Sequence, residues 1–286
     1  MTNSQQDLLL ALAASPNFGK DKLAFMGRHS GLYRSRDAGK TWEVTKIVRG
    51  EALSVTALAF SPDFVNDQTV FAAVPGGVAW SQDAGDSWFW TLLSTPLPYV
   101  SALAVSPNFA EDKTLFAATL EDGVLRSIDG GDSWEAWNFG LLDKQVLCLA
   151  VNHEAVFTGT GMGLFCSQNT GRSWRLVNLP VDDSVLSLAR AGKVLLVGTE
   201  GNGLFTSADD GESWKRVKAK GLDAPINQIQ VSKESSICVL TGDSLVESAD
   251  EGKSWHKIPV EQGEPVALSY PLVGFVDGQV IAIRNG

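Results

Sequence analysis

Residues 35–42 read SRDAGKTW: a serine, an aspartate two positions on, a glycine two beyond that, and a tryptophan closing the octapeptide. The same box returns as SQDAGDSW (81–88), SIDGGDSW (127–134), SADDGESW (207–214) and SADEGKSW (248–255). SQNTGRSW (167–174) keeps it with Asn169 in the aspartate's place. A catalytic motif is normally used once, whereas a unit repeated along the chain builds architecture.

The box tryptophans Trp42, Trp88, Trp134, Trp174, Trp214 and Trp255 are spaced by 46, 46, 40, 40 and 41 residues. Ahead of each box lies a short apolar segment centred on Leu12, Leu58, Leu103, Leu149, Leu188 or Ile229; a seventh, at Leu268, has no box after it. Each unit reads strand, strand, strand, box, strand. The third shows this as SALAVS, TLFAAT, GVLRS, the turn IDGGD and SWEAW. Four short antiparallel strands at this period are the pattern of propeller blades.

Seven starts predict an all-β, single seven-bladed propeller of four-stranded antiparallel blades, with 1–286 as one domain. The expected blades are 7–48, 53–94, 100–139, 145–178, 184–217, 225–259 and 265–286, with residues 1–6 closing the last as its outer strand. A three-stranded last blade, and six blades with the tail packed elsewhere, stay open as alternatives.

The box has a mechanical reading. Ser35, Ser81, Ser127, Ser167, Ser207 and Ser248, with Asp37, Asp83, Asp129, Asn169, Asp209 and Asp250, can hydrogen-bond within a tight turn between third and fourth strands. Gly39, Gly85, Gly131, Gly171, Gly211 and Gly252 sit where the backbone needs positive φ. The tryptophan begins the outer strand and wedges between sheets. This repeat resembles the Asp-box, or BNR, repeat of sialidases, sortilin-type receptors, xyloglucan-degrading enzymes and a photosystem II assembly factor. The resemblance covers essentially the whole chain and implies the propeller fold; because those relatives do unrelated things, it implies little about activity.

A second repeat, ASPNFGKDKLAF (14–25), FSPDFVNDQTVFAA (60–73) and VSPNFAEDKTLFAA (105–118), joins first and second strands in the first three units. Pro16, Pro62 and Pro107 stiffen these loops, and Phe18, Phe64 and Phe109 tuck beneath them. Strand order puts the loops on the same rim as the boxes.

A net charge of −10 argues against general affinity for nucleic acid or anionic membranes. No stretch approaches a membrane span, so insertion is not expected. The N-terminal apolar run, Leu8 to Ala14, has no Lys or Arg before it and reads as a strand. Cys148, Cys166 and Cys238 have no metal-ligand spacing and read as strand residues. The expected compartment is the cytoplasm, and neither metal nor cofactor is expected.

The sialidase resemblance implies an arginine triad, a tyrosine nucleophile with a glutamate partner, an acid/base aspartate and an early Arg-Ile-Pro motif. None carries over. Lys257–Ile258–Pro259 is the nearest string, at the wrong end of the chain, and Tyr33, Tyr99 and Tyr270 are the only tyrosines. GTGMG (159–163) and GTEGNG (198–203) lie between two strands and read as hairpin turns, since a phosphate loop leads into a helix. Glycoside hydrolysis needs only two carboxylates, and the rim opposite the boxes offers Glu51, Glu121, Asp122, Asp182, Asp183, Glu200, Asp223, Asp243, Glu261 and Glu264. In turns these read first as solvated acids.

What remains is surface. Trp80 and Trp90 flank the second box, and their hairpin should bring the two strands together. Tyr99 lies in the apolar PLPY connection that follows. An aromatic group of this kind anchors a protein or stacks a sugar. The candidate binding residues are Trp80, Trp90, Tyr99, Arg28, Glu121, Asp122, Glu200 and Asp243. The function they favour is a non-catalytic protein-interaction or assembly scaffold; the rivals are a glycan-binding or glycoside-cleaving propeller and a small-molecule enzyme using the central channel.

Overall fold

A computed structural model describes residues 7–47, 53–93, 96–223, 225–232, 236–242, 244–259, 265–269, 272–275 and 280–282. Blade 1 comprises β1 (Leu9–Ala14), β2 (Ala24–Arg28), β3 (Gly31–Ser35) and β4 (Glu43–Thr45). Blade 2 comprises β5 (Ala57–Phe60), β6 (Val70–Val74), β7 (Gly77–Ser81) and β8 (Phe89–Leu92). Blade 3 is β9 (Val100–Val105), β10 (Leu115–Thr119), β11 (Val124–Ser127) and β12 (Glu135–Ala136). Blade 4 is β13 (Val146–Val151), β14 (Val156–Thr160), β15 (Gly163–Ser167) and β16 (Arg175–Leu176). Blade 5 follows as β17 (Val185–Ala191), β18 (Val194–Thr199), β19 (Leu204–Ser207) and β20 (Lys215–Arg216). Blade 6 is β21 (Ile226–Val231), β22 (Ile237–Thr241), β23 (Leu245–Ser248) and β24 (His256–Ile258). A final sheet holds β25 (Pro265–Ser269), β26 (Leu272–Phe275) and β27 (Val280–Ala282). Strands pair in chain order in every sheet.

Seven four-stranded blades were expected, the seventh without a box and completed by residues 1–6, and the count of seven is corrected. Among the described residues six sheets are four-stranded and the last has three strands. The molecule is a propeller of six full blades closed by a shorter sheet. The physical reason is local: the box turn that leads from third to fourth strand in the other six sheets is not present in the described part of the final one. The expected closure by residues 1–6 lies outside the described residues.

Burial follows strand position. Second strands such as VFAAV, LFAAT, VFTGT and ICVLT are buried throughout, because neighbouring sheets cover both faces, and so they lose the polar alternation of a half-exposed strand. Fourth strands such as KR and RL are exposed. The core is a set of layers between sheets: Phe25 and Leu32 of blade 1 pack with Val70, Ala72 and Ala79 of blade 2. Leu9, Leu12 and Met26 pack with Ala267, Leu272 and Val280 of the final sheet, which closes the ring.

Inner strands are latched to each other by side chains. Thr56 Oγ1 donates to the Val100 carbonyl (2.7 Å), Ser101 Oγ to Val146 (2.6 Å) and Ser187 Oγ to Ile226 (2.7 Å). Gln228 bonds Leu268 twice, donating from Nε2 and accepting at Oε1, both at 2.7 Å. The Ala14 N–H donates to Ser269 Oγ at 2.8 Å across the closure.

The second repeat folds as three single-turn helices, α1 (Phe18–Asp21), α2 (Phe64–Asp67) and α3 (Phe109–Asp112), each with its phenylalanine buried. Ser15 donates to Asp21 Oδ2 at 2.6 Å, and Ser61–Asp67 and Ser106–Asp112 repeat the bond.

Candidate functional site

The box turns explain what holds the rim. Ser35 Oγ donates to Asp37 Oδ1 (2.8 Å) and accepts the Gly39 N–H (2.8 Å); Asp37 in turn accepts the N–H and hydroxyl of Thr41. Bonds from Thr41 and Ser35 hold the Asp37 carboxyl down at about 2, and bonds from Ser213 and Ser207 do the same for Asp209. Asn169 keeps the shape without the charge: Oδ1 accepts from Ser167 Oγ (2.9 Å) and the Ser173 N–H (2.9 Å), and Nδ2 donates to Ser173 Oγ (2.8 Å). A Cβ on Gly85 would sit 2.5 Å from the Phe25 ring, so these glycines also permit close approach to the preceding blade. The serine and aspartate of the turn are thus engaged with the turn itself, which fits a structural role.

The opposite rim carries the candidate surface, at the corner of blades 2 and 3. Trp90 (44% exposed) stands on β8, with its ring over Gly77; Leu97 (55%) covers the adjacent Gly76. Leu92 lies opposite Gly77 in the ladder and is 52% exposed. Tyr99 (46%) follows two residues after Leu97, its backbone N–H donating to Glu121 Oε2 at 2.9 Å. Four large apolar side chains are thus presented on a frame fixed by the β6–β7 and β10–β11 turns.

Trp80 and Trp90 do not form a pair. Trp80 lies opposite Phe89 and Trp90 opposite Ala79, so the two indoles occupy opposite faces of the sheet. Trp80 stacks on Phe89 with centroids 6.0 Å apart and packs against Gly131 of blade 3. Leu92 and Leu97 were missed as candidates; the signal available was an apolar residue at an outer-strand position and another in a connection that strand order sends to the rim.

The remaining candidates are dispersed. Arg28 pairs with Asp7 (Nε to Oδ2, 2.9 Å), while Asp7 also accepts from Ser30 Oγ, itself 2.8 Å from the Tyr33 hydroxyl. This network ties the chain's entry to the β2–β3 turn. Asp122 is half-buried in the β10–β11 turn, its carbonyl accepting from Asn138. Glu200 is exposed in the β18–β19 turn of blade 5, far from the aromatic corner. Asp243, Glu51, Glu261 and Glu264 lie outside the described residues. Of the rim acids, Asp183 accepts from the Gly201 N–H (2.8 Å) and Asn202 Nδ2 (2.9 Å); partial burial raises its pKa, but these bonds prevail and hold it below the usual carboxylate range. A cleft of about 460 Å³ lined by Arg216, Lys218, Lys220 and Asp223 opens at the outer edge of blade 5 and contains no aromatic side chain. Among the described residues no three His, Cys, Asp or Glu side chains cluster as metal ligands, and no helix is long and apolar enough to cross a membrane.

Comparison with solved structures matches this arrangement of sheets. YCF48 bound to D1 peptide superposes with a TM-score of 0.71 at 14% identity, over 98% of this chain and 94% of that one. The chain is a β-propeller related in fold to YCF48. The extracellular domain of the one-component system BT4673 from B. thetaiotaomicron is similar at TM-score 0.73 and 14% identity, over 97% of this chain and 38% of that one. The GH74 enzyme of Niastella koreensis is similar at 0.70 and 16%, over 88% and 45%. The chain spans less than half the length of these last two. A family model described as the DUF6242 beta propeller domain matches residues 141–273. Comparison with curated proteins gives no match. The cytoplasmic expectation is corrected: it rested on cysteine usage, buried thiols do not report a compartment, and propellers of this shape include extracellular domains.

Proposed function

We propose that this protein is a non-catalytic interaction platform: one propeller domain whose box turns are Asp-boxes of the BNR type, and whose partner is another protein docked on the corner of blades 2 and 3. The observation that carries the reading is the exposure of Trp90, Leu92, Leu97 and Tyr99 together on a frame of hydrogen-bonded turns. Aromatic anchors on a rigid frame lose little conformational freedom on docking, and clustered exposed apolar side chains mark interaction sites. The YCF48 structure with a bound peptide supports protein binding as a use of this fold.

The test is quantitative affinity capture of the tagged protein from its native lysate beside Trp90→Ala, Leu97→Ala and a control at Val65, 61% exposed on α2 (Val65→Ala), with light scattering to detect self-association. A stoichiometric partner lost in the first two and kept in the control is expected. A partner retained equally in all, or glycan binding that depends on Trp90 without any protein partner, overturns the reading.

A further inference from the structure

At the first two seams between blades, the residue before one box serine lies against the box turn of the next blade. Arg34 donates through Nη1 to the Ala84 carbonyl (3.1 Å) and Asp86 Oδ1 (2.5 Å), and through Nε to Glu43 (2.8 Å). At the second seam Trp80 covers Gly131.

The third seam repeats the first with one carboxylate replaced. Arg126 stands at the Arg34 position and Glu135 at the Glu43 position, but the position of Asp86 is taken by Arg172. Two arginines therefore occupy the positions where the first seam has an ion pair. Both lie on the Trp137 ring, 4.7 and 5.4 Å from its centroid. The carboxylates nearby are engaged elsewhere. Glu135 Oε2 accepts from Trp137 Nε1 at 3.0 Å, and Asp112 accepts from the Ser106 hydroxyl (2.7 Å) and the Thr114 N–H (2.8 Å). The buried Nε of Arg126 meets no acceptor among the described residues. Burial, and then the Arg172 charge, make Arg126 a less comfortable cation than usual.

We propose that Arg126, Arg172 and Trp137 form an oxyanion site at the seam of blades 3 and 4, taking a carboxylate or phosphate group. Guanidinium forks match paired oxyanion oxygens, and an indole face holds a guanidinium plane in place. An anion supplies the countercharge that Asp86 supplies at the first seam and an acceptor for the orphan Nε. Phe139, 81% exposed and bridged to Ser173 beside Arg172, offers an apolar wall for whatever bears the anion. The site is separate from the aromatic corner and does not depend on it.

The experiment follows the Trp137 indole N–H resonance in nitrogen-labelled protein, identified by its loss in Trp137→Phe. The probes are inorganic phosphate and, separately, N-acetyl-Glu-Glu-amide. A saturable shift is expected with at least one; phosphate alone marks a phosphoryl ligand, the peptide alone a carboxylate. Arg172→Asp restores the charge pattern of the first seam and should weaken binding about tenfold or more. Arg126→Gln should do the same, and Arg34→Gln should leave the titration unchanged. Failure of both probes to saturate into the tens of millimolar, or wild-type titration in Arg172→Asp, overturns the proposal. Arg172 is exposed, so that variant decides the matter even where Arg126→Gln folds poorly.

Discussion

The indole N–H of Trp174 donates to the carbonyl of Trp137 at 2.8 Å, crossing from blade 4 to blade 3. Trp42, Trp88, Trp134, Trp214 and Trp255 instead donate to the glycine of their own box, at 3.1 to 3.2 Å. The seam is reinforced by the Trp174 N–H donating to the Phe139 carbonyl (2.8 Å), and Gly140 lets the two backbones approach. A Cβ at Gly140 would lie 2.2 Å from the Trp174 carbonyl oxygen, at a φ of +81°. Gly140→Ala should therefore destabilise the protein by about 3 kcal/mol, combining clash and strain. Gly130→Ala, with the same φ and open space around it, should cost about 1 kcal/mol. Urea unfolding of the pair checks this, and equal costs would falsify the seam's tightness.

The box aspartates make the turns acid-sensitive. Asp37, Asp83 and Asp209 have folded pKa values of about 2 against an unperturbed 3.8, and Asp250 is lowered further. A depressed folded pKa contributes stability that is present above the unfolded value and lost as pH falls through the folded one. Unfolding free energy should therefore decline as pH drops from 3.8 towards about 2. Asp209→Asn should flatten that slope, leaving a turn like that of Asn169. Chemical denaturation across this range, read by tryptophan fluorescence, gives the slope, and an unchanged slope in the variant counts against the linkage.

Trp80 and Trp90 should separate in stability. Trp80 is packed between blades 2 and 3, so Trp80→Ala should cost about 3 kcal/mol. Trp90 is 44% exposed, so Trp90→Ala should cost less than about 1 kcal/mol. Thermal unfolding of both variants measures the difference, and comparable losses would contradict the opposite-face placement.

The three cysteines should be silent in the native state. All three are buried and outside any disulfide, and burial pushes the Cys148 thiol up to about 12 and raises Cys166. A chromogenic disulfide reagent at neutral pH should label none until denaturant is added, because the thiolate is the nucleophile. Cys148 Sγ donates weakly to the Val185 carbonyl at 3.5 Å, where Ser187 in the next blade donates at 2.7 Å to Ile226. Cys148→Ser should accordingly be close to neutral. Labelling of the folded protein, or a large loss in the serine variant, would count against this account.

Much of the fold was legible because its signals are local. Each box satisfies its serine and aspartate (or asparagine) hydrogen bonds within eight residues, so Ser81, Asp83 and Gly85 imply the same turn wherever they recur. The short helices were not legible, since Phe18, Phe64 and Phe109 head segments of a single turn with no helical period to detect. Part of the candidate surface was readable from Trp90 and Tyr99, but Leu97 joined it only through its position over Gly76.

By itself, the sequence determined the six full blades: repeated boxes and apolar runs dictate four-stranded units, whereas the seventh unit, expected to have four strands, is a three-stranded sheet in the described residues. Tertiary structure decided which side chains share a surface. Trp80 faces blade 3 while Trp90 faces solvent because strand neighbours alternate across a sheet, and the register 80↔89 assigns each to its face. Arg126 and Arg172, 46 residues apart in the chain, share the Trp137 ring because packing brings the third strand of blade 3 against the box turn of blade 4. Local hydrogen bonding writes the repeat, and packing between repeats selects the few residues that leave it.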